Sequence, residues 1–169
     1  MNPSMKRLFI RRLRSENAQA YRAVLVEGLI LHPDRFVEDY RAEVARPLTD
    51  IEADLEQNGM FGAWVDEKLV GIAGYSPFCS PKRQHCGRVR TLYVKESFRK
   101  NGIAGKLLGD VFRHAATHID QLEAEMTTRC EGAVRLFKGE GFRICGLSRG
   151  ALRVDKEELD LWTMIRRFR

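Results

Sequence analysis

The chain predicts a mixed α/β fold organised around one sheet. Three observations carry this reading. The hydrophobic period switches repeatedly between helical and strand-like spacing. Glycine, proline, asparagine and aspartate stand at the switches. No linker, repeat or low-complexity tract divides the 169 residues, and 44% of them are apolar, enough for one sizeable core. Residues 1–169 are therefore read as a single domain with one active site.

Residues 6–13 alternate as a first strand, and Ser15 stands as the N-cap of a helix whose apolar face is Tyr21, Val24, Leu25, Gly28 and Leu29. His32-Pro33 ends it, because a residue before proline disfavours helical geometry. Phe36, Val37, Tyr40 and Val44 share one face of a second helical stretch that stops at Pro47. Thr49 with Glu52 then forms a capping box for a short third helix, ended by Asn58-Gly59. Met60–Val65 and Leu69–Tyr75, joined by a turn at Asp66 to Lys68, read as a hairpin. Ser76–Cys86, with Pro77 and Pro81, is a loop. Gly87–Val94 is a strand and leads into an amphipathic helix from about Asn101 to His118, with Ile103, Leu107, Leu108, Val111 and Phe112 inward. A strand at Leu122–Thr128, a short helix over 132–139, and two last strands, to about Val154 and from about Glu158 to Phe168, complete the order.

Composition excludes several classes. The longest greasy stretch, Ala23–Leu31, contains Glu27, and nothing approaches the ~20 apolar residues of a membrane helix. The N-terminus, with Lys6, Arg7, Arg11 and Arg12, lacks the apolar core of a signal peptide, so a cytoplasmic location is expected. Cys79, Cys86, Cys130 and Cys145 have neither C-x-x-C spacing nor a matching histidine pair, which argues against a metal or redox site. A net charge of +6 suits either a nucleic-acid surface or a site for a small polyanion. The basic clusters at 6–14, 82–90, 99–106 and 166–169 lack interleaved aromatics, which argues against nucleic acid.

The segment from Leu92 to Leu108 joins a strand, a glycine-bearing turn and a helix N-terminus. The first amides of a helix have no intrahelical partner and sit at the positive end of its dipole, so they suit a pyrophosphate. Gly102 and Ala104 allow close approach, and Arg99, Lys100 and Lys106 add charge.

Arg99-Lys-Asn-Gly102-Ile-Ala104 resembles the Arg/Gln-x-x-Gly-x-Gly/Ala signature of the GNAT family of N-acetyltransferases. A second landmark of that family, Asn-x-x-Ala-x-x-Leu-Tyr followed by Gly-Phe, is met by Ala133, Leu136 and Gly141-Phe142, whereas Cys130 and Phe137 replace its asparagine and tyrosine. The resemblance runs from about Met60 to the C-terminus. It implies a three-layer α+β fold, a mixed and mostly antiparallel sheet flanked by helices, and transfer of acetyl from acetyl-CoA to an amine in a ternary complex, without metal. It implies further that Leu92, Tyr93 and Val94 lie along the pantetheine arm, on a strand that carries a bulge and splays from Leu122–Thr128. A backbone amide at Leu92 would then be catalytic, binding the thioester oxygen. Arg99, Lys100, Asn101, Gly102, Ile103, Ala104, Gly105 and Lys106 would hold the phosphates, and Cys130, Ala133 and Phe137 would line the cofactor's other side.

The attacking amine must lose a proton. Glu125 stands where some members keep a catalytic glutamate, with Glu123 on the same strand face and Glu27, Glu38 and Glu43 as rivals from the acceptor side. Arg88 and Arg90, if they face the slot, favour an acceptor bearing a carboxylate or phosphate. A small amine, an amino acid or a protein amine all fit as acceptor, and a homodimer is compatible with this reading. Two alternatives stay open: a CoA-binding regulatory module with weak catalysis, and a basic RNA-associated protein.

Overall fold

The computed structural model describes residues 7–169. Lys6, the first residue of the expected initial strand, lies outside them. In chain order the elements are β1 (Leu8–Arg12), α1 (Ala18–Leu31), α2 (Tyr40–Ala45), α3 (Leu48–Gln57), β2 (Gly59–Val65), β3 (Lys68–Pro77), β4 (Cys86–Val94), α4 (Ile103–Ala115), β5 (Gln121–Thr127), α5 (Glu131–Gly139), β6 (Arg143–Val154) and β7 (Glu157–Arg167). The strands form one seven-stranded sheet in the order β1-β2-β3-β4-β5-β7-β6. Every neighbouring pair is antiparallel except β4 with β5.

β2 and most of β3 are buried residue after residue because helices cover both faces of the sheet there. Side chains alternate between two cores. Phe61, Ala63, Val70 and Ala73 face α4 and α5, meeting Leu107, Leu108, Val111, Phe112 and Phe137. Met60, Trp64, Ile72 and Tyr93 face the N-terminal helices, meeting Tyr21, Val24, Leu25, Leu29, Ile51 and Leu55. Each fully buried side chain of this size contributes about 1.5–3 kcal/mol of transfer free energy. Gly71 lets α4 approach the sheet, since a Cβ there would stand 3.2 Å from Leu107 Cδ1.

Four local expectations are corrected. Ser15 is not an N-cap: it begins a short 3₁₀ turn, its N–H donates to Glu56 Oε1 at 2.8 Å, and Asn17 Oδ1 accepts from Arg14 N–H at 3.0 Å. A carboxylate from α3 thus supplies what a local hydroxyl was expected to supply. The stretch from Phe36 to Val44 is helical only from Tyr40, capped by Asp39, whose side chain accepts from Ala42 N–H. Phe36 is buried but extended, while Val37, Tyr40 and Val44 are exposed, so helical spacing here reflects no buried face. Helix α3 starts at Leu48 after Pro47, which places Thr49 inside it and removes the capping box. β3 runs on to Pro77 and β4 begins at Cys86, which shortens the loop expected between them. Among the described residues no helix is long and apolar enough to cross a membrane.

His114, on α4, contacts Tyr75 Oη at 2.9 Å and stacks on His118. Burial, then His118, Arg12 and Arg14, hold its ring below the ordinary value of 6.5. The folded ring therefore takes up its proton at lower pH than the unfolded one, so the stability present above 6.5 is lost as pH falls through the lowered folded value. The urea midpoint is expected to drop across that window, and His114→Asn to flatten the slope; equal slopes in both proteins would refute this assignment.

Candidate active site

The one parallel pair in the sheet is short. β4 and β5 meet only at Cys86, Gly87 and Arg88 against Gln121, Leu122 and Glu123. Beyond these the strands part, and β4 offers no ladder to β5 from Val89 onward. On its other side β4 loses register with β3: Ala73 pairs with Leu92 but Gly74 pairs with Arg90, which leaves Thr91 as the extra residue of a bulge. Thr91 has φ +34°, a conformation a β-branched residue rarely adopts. A bulge at this point re-aims β4 and opens a V between it and β5.

A cavity of roughly 1140 Å³ occupies the V. Its walls include Leu92, Tyr93 and Val94 from β4, Ala124, Glu125 and Met126 from β5, Cys130, Ala133 and Phe137 around α5, and Phe36, Val37 and Glu38 from the N-terminal segment. One end reaches the start of α4. There Arg99, Lys100, Gly102, Ile103, Ala104 and Gly105 line it, while Asn101 and Lys106 do not. Gly102 takes φ +72° as the N-cap, with no side chain capping the helix, and the first intrahelical bond is Lys106 N–H to Gly102 O at 3.1 Å. The earlier amides of α4 are thus left for a ligand. Nothing lies within 4 Å of an ideal Cβ at Gly102 or Gly105, so the space over this turn is open.

The sequence model of the acetyltransferase (GNAT) family matches residues 28–142. The chain belongs to the GNAT acetyltransferase family. Solved GNAT-type structures share its fold. An acetyltransferase of the GNAT family from Streptococcus pneumoniae superposes with a TM-score of 0.84 at 20% identity, covering 95% of this chain and 99% of that one. An N-acetyltransferase from Staphylococcus aureus Mu50 gives 0.84 at 21%, covering 96% and 99%. The yncA protein of Salmonella typhimurium, solved with its cofactor acetyl-CoA, gives 0.85 at 15%, covering 96% and 95%. Comparison with curated protein sequences finds no match. The mixed sheet flanked by helices agrees with the expected GNAT architecture.

Within this GNAT cavity several side chains are already engaged. Arg99 turns inward: its Nε donates to Val94 O at 2.9 Å and a terminal nitrogen lies 3.1 Å from His32 Nε2. Asn101 Nδ2 donates to Phe98 O and Arg99 O, bracing the turn from outside the cavity. Tyr93 donates its hydroxyl to Glu27 Oε1 at 3.0 Å, and burial together with that carboxylate pushes the phenol up to about 12. Lys95 takes the second oxygen of Glu27 at 2.8 Å, so Glu27 is spent on both sides. Glu43 pairs with Arg46 and does not line the cavity. Arg90 holds both oxygens of Asp54 at 2.8 and 2.9 Å. Arg83 takes Glu123, and Arg88 lies 3.5 Å from Glu125. Cys130, half-buried, has Sγ 3.3 Å from Thr127 Oγ1. Phe137 packs edge-on against Phe112 and Phe142 and brings no hydroxyl to the cavity. Sequence reading gave His32 only a helix-ending role and passed over Thr91 altogether, although Thr91 immediately precedes the apolar triplet Leu92-Tyr93-Val94.

Proposed function

We propose that residues 1–169 form one N-acetyltransferase domain that moves the acetyl group of acetyl-CoA to a primary amine, which attacks the thioester directly in a ternary complex. The observation that carries this reading is the continuity of the cavity, from the open amides of α4 through the parted strands to a wall holding Glu38 and Glu125. Its volume exceeds what a single drug-sized ligand usually fills, which suits two substrates bound together. In this reading the pyrophosphate sits over Gly102–Gly105, and the pantetheine lies between β4 and β5, where β4 no longer pairs with β5.

Chemistry follows from the walls. As the amine attacks, charge builds on the thioester oxygen, and a backbone amide at Leu92, beside the bulge, stabilises it by an amount on the order of 3 kcal/mol. An alkylammonium with a pKa near ~10 has to lose a proton first. Glu125 is the proposed acceptor of that proton, since its carboxylate stands in the cavity wall two residues past the last β4–β5 pair. Glu125→Gln keeps its shape and is expected to lower kcat about 10²-fold with acetyl-CoA affinity unchanged; wild-type turnover would move the role elsewhere. The departing thiolate needs little help, because a thiol with pKa near ~8.5 is a tolerable leaving group, and Phe137 offers none.

The deciding experiment is a thiol-release screen of acetyl-CoA against small amines, amino acids and peptides. Turnover with any of them supports the reading. Tight acetyl-CoA binding with no turnover across the panel would instead make the chain a CoA-binding regulatory module.

A further inference from the structure

Consecutive side chains of an unbroken strand point to opposite faces, and β4 departs from this rule at its bulge. Val89 and Leu92 both pack on the core that faces α4 and α5, and Tyr93 returns to the core of the N-terminal helices. Between Val89 and Leu92, Arg90 and Thr91 turn together toward the N-terminal region: Arg90 reaches Asp54 of α3, and the Thr91 hydroxyl donates to Glu38. Two neighbours on one face are the side-chain counterpart of the register shift between β3 and β4. Each of the two is met by a carboxylate from a different part of the N-terminal region, 36 and 53 positions away in sequence.

The two holds differ in strength and agree in direction. Asp54 receives Arg90 at 2.8 and 2.9 Å and is itself fixed by Arg46 at 3.1 Å and by Asn58 Nδ2. With the Asp54 side chain 12% exposed and that of Arg90 24%, solvent screens this pair little. Glu38 accepts the Thr91 hydroxyl at 3.1 Å. Tyr21 lies buried near these groups, and burial above all pushes its phenol up to about 12, so it adds no charge to them. Thr91 needs such support. Its φ of +34° is one that a β-branched residue keeps only where the surroundings over-determine it. A bulge released from both carboxylates is free to slip along β4. Because the N–H groups of a strand alternate between its two edges, a one-residue slip turns the Leu92 amide to the opposite edge.

We infer that Glu38 and Asp54 are positioning residues for acetyl transfer: they clamp Thr91 and Arg90 from the N-terminal region and so aim the Leu92 amide at the thioester oxygen. The role rests on the acetyltransferase reading above and deepens it, because both carboxylates act through the bulge and not on the reacting atoms. Glu38 lines the cavity, yet a carboxylate spent on holding the bulge is not the base, which leaves that task with Glu125.

The test uses the full chain, acetyl-CoA and the best amine of the thiol-release screen. Glu38→Ala is expected to lower kcat about 10- to 100-fold, the scale of a misaimed donor, with acetyl-CoA affinity by calorimetry unchanged. Glu38→Gln keeps an oxygen for the Thr91 hydroxyl and is expected to recover most of that loss; a fall equal to that of Glu38→Ala would make the carboxylate a base and overturn the clamp. Thr91→Ser should likewise recover what Thr91→Gly loses. Glycine suits a positive φ, so Thr91→Gly is expected to lose kcat without losing Tm, and a parallel loss of both would reduce the contact to a structural one. For Asp54→Asn, which weakens the ion pair itself, the readout is backbone relaxation dispersion of the Leu92 amide, expected to show millisecond exchange in the variant and none in the wild type. That measurement needs no acceptor. Absence of turnover with every amine would overturn the acetyltransferase reading, whereas a Leu92 amide without exchange in Asp54→Asn would overturn the clamp alone.

Discussion

Gly105→Asp is expected to leave the fold intact and to weaken acetyl-CoA binding by at least about 10³-fold. Gly105 lies in the first turn of α4, lines the cavity, and would place its new side chain in open space. A carboxylate there would face the phosphates of the proposed site: like charges about 4 Å apart cost about 4 kcal/mol at the effective dielectric of a protein surface. The same carboxylate suits the helix, because an acidic group near an N-terminus contributes about 0.3–1 kcal/mol and an ordinary residue replaces glycine. Affinity and stability should therefore move in opposite directions. Gly102→Asp should also abolish binding, but φ +72° strains any side chain at that position, which makes Gly105 the cleaner probe. Calorimetric affinity equal to wild type in folded Gly105→Asp would remove the phosphates from this turn.

Leu107→Ala is expected to cost about 3–4 kcal/mol of stability, at the centre of the range for a fully buried leucine. In a chain of this length that corresponds to a fall in Tm of roughly 10 °C. Leu107 is the point where α4 sits down on Gly71, and β3 supplies no side chain there that could move in to fill the void. A loss under about 1 kcal/mol would mean that the helix settles onto the sheet after truncation. Saturating acetyl-CoA should restore part of the midpoint by mass action, provided the phosphate turn is still formed.

Local signals made most of this molecule legible in its sequence. Strands β2 and β3 announced themselves by apolar runs around a polar turn, and α4 by its inward stripe of Ile103, Leu107, Leu108, Val111 and Phe112. The Gly102 turn was visible for the same reason, since a helix N-terminus and its glycine are neighbours in the chain. What stayed hidden depends on partners far away in sequence. Glu56 satisfies Ser15 from 41 residues off. Glu38 meets Thr91 across 53, and Glu27 meets Tyr93 across 66. Nothing at Phe36–Val44 betrayed that Val37, Tyr40 and Val44 would face solvent while Phe36 alone is buried, because spacing reports a stripe and not what covers it. The rivalry among Glu27, Glu38 and Glu43 could be narrowed only once their neighbours were in place.

Only three residue pairs fasten β4 to β5, whereas β3 and β4 share seven and β5 and β7 share seven. Mechanically the sheet is two stiff leaves with a short spine. A molecule lying in the gap, offering its own amide groups to both leaves, behaves as a substitute strand: it continues the ladder that the protein leaves unfinished. Its arrival should damp relative movement of the leaves far from where it touches, and its departure should restore that movement. Amide exchange along 89–94 and 124–127 would then slow on cofactor binding more than the contact area alone implies, and the protein would close its own sheet only while it holds the reactant.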